Sequence, residues 1–262
     1  MTENSPLILL EGMLKEEGET FTLPYVENGE MKDYARIRLE VYKKGKEKYE
    51  APENLLYVTL PPGTSLELGE YENSAPFTLA TGEFAVARIK KGRPYKVRLP
   101  RDGTRYHTIE MLREFESELF DEGIEKWERR EKLFILPGAT VYPESCAQKI
   151  PGWIAGWWNG SPELHFAYSK YEGPRKEEKT HSHRKIIEPY MGISGEGRLL
   201  VRIGKREEIL PLNEGKIIIP GPGIPHKLVF NDVKFPFTLY VLNYSATGKP
   251  GNRSGITSRR TF

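Results

Sequence analysis

Residues 180–197 read THSHRKIIEPYMGISGEG and place His181 and His183 two positions apart, with Glu188 five positions further on. The chain has only five histidines in 262 residues, so this pairing is unusual. In an extended strand, side chains two positions apart point to the same side, so both imidazoles are expected to share one space. Glu188 lies an odd number of positions from His183. A turn or bulge at 184–185 is therefore predicted to bring its carboxylate back to that side.

A third histidine follows a tight turn later in the chain. The stretch GKIIIPGPGIPH (215–226) delivers His226 after a Pro-Gly turn that can direct one side chain into the mouth of a β-barrel. Imidazoles beside a carboxylate, with open coordination positions, suit Mn, Fe, Ni, Co or Zn. The sequence therefore predicts a site for one divalent metal ion. The alternative is a set of hydrogen-bonded structural histidines.

Strand signals dominate the rest of the chain. Runs of β-branched and aromatic residues are separated by Gly, Pro, Asn and Asp, which is typical of short strands joined by turns. Many such strands at regular spacing favour a sandwich or a barrel over alternating β-α units. The clearest runs are 35–42, 54–60, 82–89, 95–99, 197–204, 215–219 and 237–244.

One segment breaks the β pattern. Residues 107–132 carry apolar side chains at three- and four-residue steps, which predicts an amphipathic helix. Thr108 is a candidate for the N-terminal cap. A lone helix between two β-rich halves is expected to be a connector, so the domain boundary is predicted there.

The two halves also resemble each other. Residues 76–83 read PFTLATGE and residues 189–196 read PYMGISGE. A second pair consists of LPRDGTRYH (99–107) and IPGPGIPH (219–226), each a turn that ends in His. Both similarities occur in the same order, which favours a duplicated β domain over chance similarity of short segments.

These residues resemble the motifs of the cupin superfamily. Its first motif has His-x-His, then Glu, then Gly, and its second has Gly, Pro-x-Gly, His and Asn. The chain matches at every ligand position. It departs by having Gly221 in place of the Pro and Phe230 in place of the Asn, and by lacking the Gly that precedes the first His by six positions. The matching positions are His181, His183, Glu188, Gly195, Gly215, Gly223 and His226.

The resemblance implies an all-β fold of two cupin-like barrels, of the double-stranded β-helix or jelly-roll type, joined by the helical connector. The expected divisions are a degenerate cupin-like domain (1–107), the connector (108–131) and a metal-binding cupin domain (132–262). The resemblance makes His181, His183, Glu188 and His226 the metal ligands. In the first half, Leu68, Glu70 and Ala75 would stand where His181, His183 and Glu188 stand, and His107 would correspond to His226.

Open metal positions favour an enzyme that acts on a small oxygen-rich metabolite, such as a sugar, a sugar acid, or a keto or hydroxy acid. Isomerisation or epimerisation is the leading hypothesis. A non-haem iron dioxygenase and a non-catalytic metal-containing binding module are the alternatives, and the sequence does not separate the three. Glu188, Tyr190 and Lys185 are the candidate catalytic residues, the last two because strand alternation can place them beside the ligands.

Composition limits the partners. Lys and Arg total 39 and Asp and Glu total 37, so a net charge of +2 gives no reason to expect a nucleic-acid partner. One cysteine excludes an intrachain disulfide and favours a reducing cytoplasm. The apolar run near the start is too short for a signal peptide, and no run is long enough to span a membrane. By resemblance to cupins, a homodimer paired through sheet edges is expected.

Overall fold

The computed structural model describes residues 7–113, 134–146, 148–150, 153–158, 164–173, 179–247 and 260–261. Strands make up nearly all of its regular structure, together with one 3-10 helix at Glu144–Cys146. The strands before the gap at 114–133 are β1 Leu9–Met13, β2 Thr20–Glu27, β3 Glu30–Val41, β4 Leu56–Leu60, β5 Ser65–Leu68, β6 Phe77–Ala80, β7 Ala85–Ile89, β8 Tyr95–Arg98 and β9 Arg105–Met111. The strands after it are β10 Phe134–Leu136, β11 Ala139–Pro143, β12 Gln148–Ile150, β13 Trp153–Trp158, β14 His165–Tyr171, β15 His181–Ser182, β16 Ile186–Ile187, β17 Tyr190–Ile203, β18 Arg206–Asn213, β19 Lys216–Pro220, β20 His226–Leu228, β21 Lys234–Ser245 and β22 Arg260–Thr261.

The strands form three antiparallel sheets. A seven-stranded sheet has the order β10-β11-β7-β4-β9-β3-β2, and a three-stranded sheet has the order β6-β5-β8. A twelve-stranded sheet follows the path β12-β13-β14-β21-β17-β20-β15-β22, with β1, β16, β18 and β19 paired off that path. The predicted all-β fold is thus confirmed.

Side-chain alternation along the strands creates three apolar cores. In β21, Leu239 and Val241 face a core within the twelve-stranded sheet, whereas Tyr240 and Leu242 face the opposite side. A strand has a period of two, so one strand can supply two cores at once. The first-half core lies between the seven- and three-stranded sheets, and the second-half core lies within the twelve-stranded sheet. The third, which we call the interface core, lies between the seven- and twelve-stranded sheets.

Strands cross between the halves. The N-terminal β1 pairs with β19 over Leu9–Met13, so it joins the sheet of the second half. Conversely, β11 pairs with β7 and joins the sheet of the first half. The division into a first domain at 1–107 and a second at 132–262 stays a prediction, and the seven- and twelve-stranded sheets each contain strands from both sides of it.

The predicted helix receives no support from the structure. Residues 107–111 belong to β9, and Thr108, the predicted cap, pairs with Arg38 of β3 and Val58 of β4. The periodicity of the predicted helix begins only after this strand, and residues 114–133 lie outside the described part of the chain. Within the described residues, no helix has the length and apolar character needed to cross a membrane.

Candidate metal centre

Two neighbouring strands bring the histidines together. His181 is the first residue of β15 and pairs directly with His226, the first residue of β20. The turn before β20 contains Gly223, whose positive φ of 85° is readily adopted by glycine. The backbone N–H of Gly223 donates to the carbonyl of His183 at 2.6 Å, so the turn is fixed to the segment that carries the other ligands.

The bend predicted from the sequence brings the carboxylate of Glu188 to the histidines. Residues 184 and 185 form a bend, and Ile186 and Ile187 then pair with β21, which leaves Glu188 directly after a short buried strand. Its Oε2 lies 3.2 Å from Nε2 of His181, 3.1 Å from Nε2 of His183 and 2.9 Å from Nε2 of His226. The ligand atoms of all four residues lie within 4.8 Å of one another, so the group could hold one metal ion.

Backbone carbonyls orient two of the imidazoles. Nδ1 of His181 lies 3.2 Å from the carbonyl oxygen of Lys179, and Nδ1 of His226 lies 2.8 Å from that of Ile224. A carbonyl only accepts, so each Nδ1 carries the proton and, in a neutral ring, leaves a lone pair on Nε2. Metal-binding histidines are typically held in this way. Lone pairs converging on a carboxylate repel it unless a cation or protons lie between them, so the donor set fits a divalent cation.

The group is buried among apolar side chains. The exposed fractions are 2% for His181, 9% for His183, 6% for Glu188 and 2% for His226. Burial by itself raises the pKa of Glu188. Where protons rather than a cation lie between the groups, hydrogen bonds from the three Nε2 atoms more than offset this and hold the pKa of Glu188 well below its usual value. Glu188 is therefore an anion at neutral pH, as a metal ligand must be.

Two predicted catalytic residues have different environments. Tyr190 is buried in the second-half core, and its ring stands edge-on to that of His226 with centroids 5.7 Å apart. Lys185 is exposed, and its carbonyl accepts from the backbone N–H of Ala246 at 2.9 Å. The catalytic roles of both stay predictions.

The proposed correspondence of His107 to His226 is wrong. The pair β15–β20 carries His181 and His226, and the first-half pair of the same kind is β5–β8, where Leu68 lies opposite Tyr95. His107 is instead on β9 and points to the interface core with Ile109. The two turns that end in His are similar in sequence, but the turn at 99–107 leads into β9 and the turn at 219–226 leads into β20.

The first half places no metal ligands at the corresponding positions. Leu68 is fully buried in the first-half core, whereas Glu70 and Ala75 are exposed. Across the described residues, the group of His181, His183, Glu188 and His226 is the one cluster of potential metal ligands.

The N-terminal strand supports the turn that delivers His226, a contact that the sequence did not indicate. The N–H of Gly221 donates to the carbonyl of Ile8 at 2.8 Å. A Cβ at Gly221 would overlap the carbonyl oxygen of Leu7, so only glycine fits. The sequence did carry one signal of this contact. Gly221 departs from the cupin motif at the position where the segment containing Leu7 and Ile8 approaches the turn.

Comparison of the sequence with family models and with curated proteins gives no match. Solved structures do match in fold. Oxalate decarboxylase from Lactobacillus farciminis, solved as a formate complex, is 11% identical with a TM-score of 0.59, over 91% of this chain and 87% of that chain. Streptomyces albus HEPD, with 2-hydroxyethylphosphonate and Fe(II) bound, is 10% identical with a TM-score of 0.58, over 95% and 78%. Vicilin from Capsicum annuum is 10% identical with a TM-score of 0.57, over 87% and 77%. All three are cupin-fold proteins. The chain therefore has the cupin fold that its histidine motif implies, with a group of side chains that could hold one metal ion.

Proposed function

We propose that the protein is a divalent-metal-dependent enzyme that acts on a small oxygen-rich metabolite, such as a sugar, a sugar acid, or a keto or hydroxy acid. The proposed reaction is an isomerisation or epimerisation. One observation carries the proposal: three Nε2 atoms lie within 3.2 Å of one oxygen of Glu188, in the buried interior of the second half. Such a cluster is expensive to desolvate and is typically retained for chemistry rather than for stability.

The side chains divide the work of holding the ion. His181, His183 and His226 would supply neutral nitrogen donors, and Glu188 would supply one negative charge. Four protein ligands leave open positions on a six-coordinate ion, so a substrate can bind through two oxygens. A bound divalent ion would act as a Lewis acid that stabilises negative charge developing on a substrate oxygen.

Charge and access determine which further residues could take part. Tyr190 is close to His226 and its hydroxyl could transfer a proton in a buried site, while the exposed Lys185 could attract an anionic substrate. Both roles are proposals. The class of substrate is supported by the molecules present in the similar structures, formate in one and 2-hydroxyethylphosphonate in another.

A non-haem iron dioxygenase is the second candidate. It is favoured by the Fe(II) in the structure of HEPD, which has the same fold. The same four ligands and the same open positions would serve oxygen chemistry, so the identity of the metal and the consumption of O2 separate the two candidates.

The first experiment measures metal content and reaction type together. The purified full chain is analysed for Mn, Fe, Co, Ni and Zn, loaded with each, and incubated in D2O with α-hydroxy ketones and 2-keto acids. We expect metal-dependent incorporation of deuterium at the carbon next to the carbonyl group. Proton NMR measures it as the loss of that carbon's proton signal. Uptake of O2 with the iron form would instead favour the dioxygenase. If the metal-loaded protein binds these compounds, transforms none of them and takes up no O2, the protein is instead a non-catalytic binding module.

Variants test the site itself. Glu188→Gln keeps the shape of the side chain but removes its charge, and we expect metal affinity to fall by more than about 100-fold, since even outer partners of metal ligands contribute 10- to 100-fold. His107→Phe is the matched control, because this buried histidine lies outside the group. Retention of metal by Glu188→Gln, or equal loss in both variants, would contradict the assignment.

The setting of the protein is proposed on separate grounds. We propose a cytoplasmic homodimer, because the single cysteine suits a reducing compartment and sheet edges offer pairing surfaces. Sedimentation equilibrium of the purified chain tests the dimer, and a mass of one chain across micromolar concentrations would contradict it.

A further inference from the structure

A cavity of about 220 Å³ lies between the seven-stranded and twelve-stranded sheets. It borders the interface core and contains none of the four candidate metal ligands in its lining. Both halves contribute to its wall. The residues that matter here are Phe84, Arg105, His107, Tyr168, Ile193 and Tyr240.

Four aromatic rings form one part of the cavity wall. Phe84 and Tyr168 are stacked with ring centroids 4.0 Å apart, and Tyr240 lies 6.0 Å from Phe84. His107 meets Tyr240 edge-on, with centroids 5.5 Å apart and planes at 90°. Aromatic faces and edges of this kind favour a flat, apolar ligand body.

His107 lines the cavity, and one of its ring nitrogens lacks a hydrogen-bond partner among the described residues. Its side chain is 7% exposed, and Nδ1 has no hydrogen-bond partner among the described residues. Its backbone N–H donates to Oγ1 of Thr59 at 2.8 Å, so only the imidazole ring has an atom without a hydrogen-bond partner. A buried polar atom without a partner costs free energy that a ligand or an ordered water can recover.

The imidazole of His107 is neutral at physiological pH. Burial, and secondarily the charge of Arg105, lower its pKa to about 4. A neutral imidazole offers one donor and one acceptor. It can therefore bind a hydroxyl group without needing a charged partner.

The other charges at the cavity compensate each other. Nη1 of Arg105 donates to Oε1 of Glu214 at 2.7 Å, and Nη2 donates to the carbonyl of Lys15 at 3.0 Å. The guanidinium is thus already paired, and the lining offers no uncompensated charge to an ionic ligand. A charged molecule would lose its hydration without an equivalent gain.

We propose that this cavity is a second ligand site, which binds a small uncharged aromatic molecule of one ring with its hydroxyl group hydrogen-bonded to His107. The volume is below the roughly 300–1,000 Å³ of pockets that hold drug-sized ligands, which limits the occupant to about one ring. The site is separate from the candidate metal centre, and its ligand contacts both halves of the chain.

Phenol is the direct probe. Isotope-labelled full-length protein is titrated with phenol, benzene and benzoate, and the ring resonances of His107 are followed by NMR. We expect saturable shifts with phenol. Benzene lacks the hydroxyl and should bind about tenfold more weakly, as one lost hydrogen bond implies. Benzoate, which is charged, should not saturate the site.

Variants separate this site from the metal centre. His107→Phe keeps a ring beside Tyr240 but removes both nitrogens, so phenol binding should weaken to the level of benzene. Ile193→Phe fills the cavity from β17 and should abolish binding, which tests the site even if His107→Phe does not fold. His183→Gln alters the metal group and should leave phenol binding unchanged.

Three results would overturn the proposal. They are the absence of saturable phenol binding to the wild-type chain, equal affinity for phenol and benzoate, and undiminished phenol binding in Ile193→Phe. A crystal soaked with phenol that shows only an ordered water on His107 would overturn it as well.

Discussion

Two strand pairs of the same kind differ in what they bury. In the first half, β5 and β8 place Leu66 opposite Val97 and Leu68 opposite Tyr95. In the second half, β15 and β20 place His181 opposite His226. The first pair closes a core of aliphatic and aromatic side chains, whereas the second carries ligands that surround Glu188.

This difference separates what the fold needs from what the chemistry needs. The first half packs Leu68 and Tyr95 at the positions where the second half has His181 and His226, so the architecture itself does not require a metal. The second half accepts the desolvation of a carboxylate and three imidazoles instead. A cluster that the fold does not need is best explained by the function of the site.

The largest expected effect on stability comes from the first half. Leu66 is fully buried in the first-half core, so Leu66→Ala removes apolar contacts and leaves a cavity. We expect a loss of about 2–5 kcal/mol in the free energy of unfolding. Urea denaturation measures it, and metal content should be unchanged.

Ile209→Ala is the control for this comparison, because Ile209 lies on β18 and is 52% exposed. It should change stability by less than about 0.5 kcal/mol. A loss of metal in Leu66→Ala at temperatures where the chain is folded would show that the two halves do not have separate roles.

The second effect compares two kinds of buried histidine. His107 lies outside the cluster around Glu188, and burial lowers its pKa from 6.5 to about 4. Between pH 4 and pH 6.5 the unfolded chain binds more protons than the folded chain. The contribution of neutral, buried His107 to the free energy of unfolding is therefore fully present above pH 6.5 and is lost as the pH falls towards 4. The difference corresponds to about 3 kcal/mol.

Thermal unfolding of wild type and His107→Phe from pH 7.5 to 4 tests this. The variant should lose less stability as the pH falls, so the difference in stability between the two proteins should change by about 3 kcal/mol over this range. The contribution of Glu188 is lost only at lower pH, because its pKa lies well below 4.5. Parallel curves for the two proteins would contradict the burial of a neutral imidazole.

The sequence predicted the parts of the site that depend on local spacing. The alternation of His181 and His183, and the bend before Glu188, are properties of a few consecutive residues. The pairing of β1 with β19 joins segments about 200 residues apart, and no local pattern encodes it. For the same reason, similarity of two turns could not reveal that His107 belongs to β9 rather than to a strand equivalent to β20.

A smaller effect tests whether β1 supports the candidate metal centre. Gly221 packs against the backbone of Leu7, so Gly221→Ala must push β1 away from the turn that precedes His226. We expect a loss of about 1–3 kcal/mol in the free energy of unfolding, as is typical for overpacking, together with weaker metal binding. Calorimetric titration with Mn or Zn measures the second quantity.

Gly82→Ala is the matched control for Gly221→Ala. A Cβ at Gly82 meets nothing within 4 Å, and its φ is not positive. This substitution should leave metal binding unchanged and leave stability unchanged or slightly higher. Equal metal affinity in the two variants would mean that β1 has no part in positioning His226.

The smallest effect concerns the ion pair between the halves. Arg105 and Glu214 are 2.7 Å apart with side chains 48% and 54% exposed, so solvent screens their attraction. A double-mutant cycle with Arg105→Gln and Glu214→Gln should give a coupling energy below about 1 kcal/mol that falls with added salt. The halves are joined mainly by apolar contact, as in the stacked rings of Tyr34 and Tyr244, 4.3 Å apart. A coupling above about 2 kcal/mol that salt does not reduce would show instead that the two halves depend on this charge pair.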